Sequence, residues 1–215
     1  MKKALAITGV LLAMSSAAMA KTVEVTENYG SNILRIPAVE LENKGAEKRI
    51  NKAIYEKIED AKDFAEKHKE AKMEIGSAYE ILRDDDKYLT VFMDCSFFPY
   101  RAAHPMHTTY GMVFDKKTGK QLPVNHFVEL PSLKRMEQFV EMGYFQLEAK
   151  DGTKLPYNEE SFSLEYISDQ FILDDKDNIK LVYQHYDLAP YAVGETYVNI
   201  DKEYIDRHGR WLSKG

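Results

Sequence analysis

The chain reads as an α+β protein, an antiparallel sheet with two main helices packed on it. Three observations predict this class. Two-residue alternation of apolar and polar side chains dominates residues 73–124, two stretches instead repeat apolar residues at three- and four-residue spacing, and no βαβ alternation calls for a parallel sheet. With 44% hydrophobic and 30% charged residues, the 215-residue chain has enough apolar surface to close a core and enough charge to stay dissolved. Its 29 Lys and Arg against 35 Asp and Glu give a net charge of -6, which excludes a strongly basic nucleic-acid binder.

Residues 1–20 carry the marks of a Sec-type signal peptide. Lys2 and Lys3 form the basic start, Ala4 to Ala13 the apolar stretch, and Ala18-Met19-Ala20 the small-residue cleavage site. The apolar run is too short to span about 30 Å of hydrocarbon, and no cysteine follows the cleavage site to take a lipid anchor. The expected product starts at Lys21, loses two lysines and no acid so that its net charge falls from -6 to -8, and is periplasmic or secreted without membrane insertion.

The mature chain opens with an N-terminal strand and helix segment, 21–72, followed by an α+β unit, 73–215, the two packed together. Thr22 to Tyr29 and Ile33 to Leu41 read as strands split by Gly30-Ser31-Asn32. Over Ala46 to about Ala71, Ile50, Ala53, Ile54, Ile58, Ala61, Phe64 and Ala65 form one helical stripe, with Lys62 to Lys72 as its solvated face. Met73 to Arg83 and Lys87 to Phe98 form a hairpin around Asp84-Asp85-Asp86, whose acids lack the spacing of a calcium loop. Thr108 to Asp115 alternates again and turns through Gly119, suited to positive φ, into Lys120 to Val124. Pro131 to Leu147 reads as the second helix, with Leu133, Met136, Phe139, Val140, Tyr144 and Leu147 facing inward. A loop from Asp151 to Ser163, a hairpin of Phe171 to Leu173 with Ile179 to Tyr186, a short strand Val198 to Ile200 and a helical turn capped by Asp201 complete the chain.

Cys95 shares a strand face with Leu89, Val91, Met93 and Phe97, so it is expected in the core, not as a nucleophile. The chain has no nucleophile elbow, P-loop, H-E-x-x-H or dinucleotide glycine pattern. His104 and His107 have a spacing that zinc tolerates, but Pro105 extends the backbone at His104 and a third ligand must come from distant His126, His185 or a carboxylate. The expectation is no metal or other cofactor, with histidine tying down a loop through hydrogen bonds. Two irregular segments, Pro99 to Met106 and Tyr186 to Gly194, leave strands in the same style, and loops held on a rigid sheet commonly carry function.

Tyr100 with Ala102-Ala103-His104-Pro105, Phe114-Asp115 with Thr118-Gly119-Lys120 and Leu122, and Tyr186-Asp187-Leu188-Ala189-Pro190-Tyr191-Ala192-x-Gly194 together resemble the extracellular domain family of the anti-sigma factor RsiV, which also lies beside the catalytic domain of the peptidoglycan deacetylase PdaC. Arg35-Ile36-Pro37 and Ile50-Asn51-x-Ala53-Ile54 are similar to the strand and helix that precede that domain. The resemblance implies an envelope-associated α+β domain and, as in RsiV, lysozyme binding. A cleavable signal in place of a membrane helix, no sigma-binding segment and no deacetylase domain after Gly215 lead us to expect neither a complete anti-sigma factor nor a deacetylase. Ala102 stands where the family often has glycine.

The leading expectation is a non-enzymatic exported binding protein of the bacterial envelope, with a lysozyme-type hydrolase or a peptidoglycan component as partner. Its binding residues would be Tyr100, Arg101, His104, His107, Tyr186, Asp187, Pro190 and Tyr191. The alternative is a small envelope hydrolase pairing His104 or His107 with Asp115 or Asp187 as acid and base.

Overall fold

A computed structural model describes residues 20–157 and 164–208; the expected signal peptide, apart from Ala20, and part of the Asp151 to Ser163 loop lie outside the described residues. Strands β1 (Lys21–Tyr29) and β2 (Asn32–Glu40) form a hairpin. Helix α1 (Lys44–Lys67) leads into β3 (Glu74–Asp84), β4 (Tyr88–Phe98) and β5 (Met106–Asp115). Helix α2 (Leu133–Glu141) is followed by β6 (Gln146–Ala149), β7 (Phe171–Leu173), β8 (Ile179–Tyr183), β9 (Thr196–Ile200) and helix α3 (Lys202–His208).

The α+β class is as expected, but the sheet is neither single nor purely antiparallel. The strands divide into a five-stranded sheet, in sequence order, and a four-stranded sheet ordered β6-β9-β8-β7. Within the first, β2 and β3 run parallel through Leu34 and Ser77. Helix α1 is the reason: a helical crossover returns the chain to the end from which β2 started, so the next strand points the same way.

Alternation explains why β4 sits at the centre. Its odd-numbered residues Leu89, Val91, Met93, Cys95 and Phe97 share a core with Ile50, Ile54, Ile58, Ala61 and Ala65 of α1. Its even-numbered residues face the other way, Tyr88 into the core of the second sheet and Phe92 against Ile172, Val182 and Tyr197. Each of these large side chains contributes about 2 kcal/mol by leaving water. Cys95 is completely buried, and that burial pushes its thiol up to about 12, so it is held as the unreactive neutral form.

Three local expectations need correction. The second helix stops at Glu141, because Gly143 takes φ 72 and its N–H turns back to the Val140 carbonyl. Tyr144 is consequently exposed, and Leu147 is buried as part of β6 instead of a helical stripe. Lys120 to Val124 makes only an isolated bridge, Phe114 to Gln121. Lys62 is not solvated: its ammonium reaches Glu27 of β1 and lies 2.8 Å from Glu59. Gly119 does take the positive φ expected of it, 70°.

Candidate functional site

The two irregular segments meet. Pro99 to Pro105 links β4 to β5, and Gln184 to Glu195 links β8 to β9. Gln184 joins them by treating Thr109 of β5 as a strand partner: its amide oxygen accepts from the Thr109 N–H at 2.7 Å and its amide nitrogen donates to the Thr109 carbonyl at 2.9 Å. β5 is an outer strand of its sheet, so this side chain satisfies backbone groups that would otherwise be left open.

Above that staple, rings from both segments pack together. His104 stacks on Tyr191 with ring centres 3.9 Å apart, and its Nε2 lies 3.0 Å from the Tyr186 hydroxyl. The Nδ1 of His104 faces the Pro105 carbonyl at 3.0 Å, so Nδ1 donates there and Nε2 accepts from the tyrosine. This is the loop-tying histidine expected from the sequence. Tyr191 also lies 4.9 Å from the ring of His185, which stacks at 4.5 Å on His107. Arg101 and Tyr186 hold left-handed backbone, at φ 65 and 72, conformations that cost energy outside glycine and mark constrained loops.

The outermost groups are apolar and aromatic. Tyr100 is 65% exposed and Tyr186 62%, with Phe98 and Met106 exposed beside the first segment. The Arg101 guanidinium covers the Tyr100 ring at 5.1 Å. Pro190 is exposed at the start of the short turn that carries Tyr191.

The histidine–aspartate pairs imagined for a hydrolase are not formed. Asp115 accepts from the Thr118 N–H and hydroxyl in its own turn, at the far end of β5 and about 27 Å along the strand from His107. Asp187 accepts from the Gln184 N–H at 2.8 Å and from the Tyr166 hydroxyl. His107 pairs instead with Asp94, its Nδ1 3.1 and 3.0 Å from the two carboxylate oxygens. β4 and β5 place them as diagonal neighbours, since Asp94 is opposite Thr109 and His107 is opposite Ser96.

Asp94, His185 and Glu195 complete this inner layer. Burial pushes Asp94 above the ordinary aspartate range, an effect that His107 offsets only in part. Burial likewise lowers His185, whose Nδ1 is buried without a hydrogen-bond partner. Glu195 is only 6% exposed. Asp94 and Glu195 are not among the residues expected from the sequence, where His185 enters only as a distant ligand; the signal for Asp94 is an acid in the otherwise apolar run from Tyr88 to Phe98.

No protein-family model matches the chain, and no curated protein sequence matches it. Solved structures do. A DUF3298-family member from Bacteroides fragilis superposes with a TM-score of 0.60 at 13% identity, covering 90% of this chain and 94% of its own. A DUF3298-family protein from Pseudomonas aeruginosa gives 0.58 at 12% identity, with 89% and 94% covered. The chain therefore has the fold of DUF3298 proteins over most of its length.

Proposed function

We propose that the protein is an exported, non-enzymatic binding module of the bacterial envelope that docks a basic, lysozyme-type hydrolase through the surface of Tyr100, Arg101, Met106 and Tyr186. The observation that carries the reading is the exposure of Tyr100 and Tyr186 on two loops cross-braced by the His104–Tyr191 stack. Tyrosine and arginine on a pre-ordered surface contribute large contact area at little entropic cost, as interface anchors do. The resemblance of both loops to the RsiV extracellular domain supplies the partner class. The net charge of -8 expected after signal removal would steer a basic partner to it. His104, Pro190 and Tyr191 shape the support in this proposal, and Asp187 fixes the loop through Tyr166.

The test is calorimetric titration of the chain from Lys21 against c-type lysozyme, repeated with Tyr100→Ala. Tyr100 is largely in solvent, so the variant folds normally, while loss of a central anchor weakens binding by about 2 kcal/mol. Raising the salt concentration slows association. No heat up to about 100 μM, where binding is weaker than roughly -5.5 kcal/mol, removes the lysozyme-type partner. Retention of the protein on purified peptidoglycan would then move the reading to a cell-wall polymer. Export is checked by the intact mass of protein recovered from the envelope, which should begin at Lys21.

A further inference from the structure

Beneath the docking loops lies an arrangement that protein binding does not require. Alternation puts Asp94 on the face of β4 that carries Thr90 and Phe92, and His107 on the face of β5 that carries Gly111 and Val113, so both point toward the second sheet. Glu195, at the entry to β9, arrives from that second sheet. One ligand atom from each of the three lies within 4.8 Å of the other two.

Glu195 is the informative member. It is more than nine-tenths buried, and among the described residues its carboxylate has no hydrogen bond or ion pair. Its oxygens are not sealed from solvent, so an ion arriving from solution can reach them, and a carboxylate this confined favours a cation at its side. The cations nearby are otherwise engaged. His107 faces Asp94, and the Lys150 ammonium lies 3.5 Å from Glu80 and over the ring of Phe92. His185 offers a buried Nδ1 that has no partner of its own.

We propose that Asp94, His107 and Glu195 bind a divalent transition-metal ion of the zinc class. One imidazole nitrogen and two carboxylate oxygens form a donor set that zinc accepts, and the double positive charge balances the two acids. Two donors at about 2.1 Å in tetrahedral geometry are roughly 3.4 Å apart, close to the 3.0 and 3.1 Å already separating His107 Nδ1 from Asp94. Glu195 closes the remaining gap by a side-chain rotation. Three protein ligands leave a position for water, and His185 holds an unpartnered Nδ1 on the ring stacked against His107. The ion clamps β4 and β5 of one sheet to β9 of the other, directly under Tyr191. The sequence expectation of no metal arose from pairing His107 with His104, whereas the strand register gives His107 different partners.

The experiment uses the mature chain purified without metal affinity, stripped with chelator, and titrated with zinc chloride by calorimetry and by thermal melting. One equivalent should bind and raise the melting temperature, and cobalt should give the visible absorption of a four-coordinate nitrogen and oxygen site. Glu195→Gln removes a negative charge that lies close to that of Asp94, so the metal-free variant should melt no lower than the parent while its zinc affinity falls tenfold or more. Asp94→Asn should weaken zinc by a similar factor. No stoichiometric zinc at 100 μM, or parental zinc affinity in both variants, overturns the site; neither result bears on lysozyme binding, which Tyr100→Ala tests separately.

Discussion

A Cβ atom on Gly111 would lie 2.3 Å from the carbonyl oxygen of Phe171. That distance is shorter than any real Cβ contact, and the obstruction is backbone. It shows why β5 can lie against β7: glycine removes the side chain at a position where a strand of the first sheet meets the main chain of the second. Thr90 reinforces the same seam, its hydroxyl donating to the Leu173 carbonyl at 2.8 Å.

Gly111→Ala should therefore cost about 3 kcal/mol, the upper end of overpacking penalties, because neither strand can yield without breaking its own ladder. Urea denaturation measures it. A loss below about 0.5 kcal/mol would mean that β7 does not seat on β5 as described.

Arg83 ties the turns of the two sheets together. Its guanidinium contacts Asp85 in the β3–β4 turn and reaches Asp177 at 2.7 Å and the Asp174 carbonyl at 2.9 Å in the β7–β8 turn. Burial pushes Asp85 up, but the N–H groups of Tyr88 and Lys87 and the Arg83 charge outweigh it, holding the carboxyl below its ordinary range. A lowered folded pKa contributes stability that is complete above the unfolded value, near pH 4, and is lost as pH falls through the folded value. Asp85→Asn should thus destabilise clearly at pH 6 and progressively less toward pH 2, while Arg83→Ala costs about 2 kcal/mol at neutral pH. Denaturation midpoints across that pH range test the sign; a penalty that grows on acidification contradicts it.

How far the sequence reveals this molecule depends on the range of the forces involved. Strand alternation around Cys95, the stripe of α1 and the positive φ of Gly119 are local, and all were legible. The end of α2 is also local, written in Gly143, which stops the helix although the apolar stripe continues to Leu147. The division into two sheets is not, because it depends on Gly111 meeting Phe171 across 60 residues of chain. The same holds at the site. Both loops stand out in sequence, but Asp94 and His107 become neighbours only through the register of β4 on β5, and Glu195 only through the packing of one sheet on the other.

The Gln184 side chain decides whether the loops remain a site at all. It makes three hydrogen bonds to Thr109, including one with the hydroxyl at 3.0 Å, and Thr109 is fully buried. Gln184→Ala leaves a buried N–H and a buried carbonyl without partners, at about 1–3 kcal/mol for each orphaned group, so a total loss of about 3 kcal/mol is expected. Gln184→Glu separates the two halves of the contact: the carboxylate still accepts from the Thr109 N–H, but its other oxygen is set against the Thr109 carbonyl with no proton between them, so at neutral pH the variant should be no more stable than Gln184→Ala. Hydrogen exchange gives the local readout. In Gln184→Ala the amide of Thr109 and those of residues 185–194 should exchange faster, while α1 and β1, on the far part of the first sheet, keep their protection relative to global unfolding. Uniformly faster exchange with no preference for the loop would show that Gln184 contributes to overall stability without holding the two segments together.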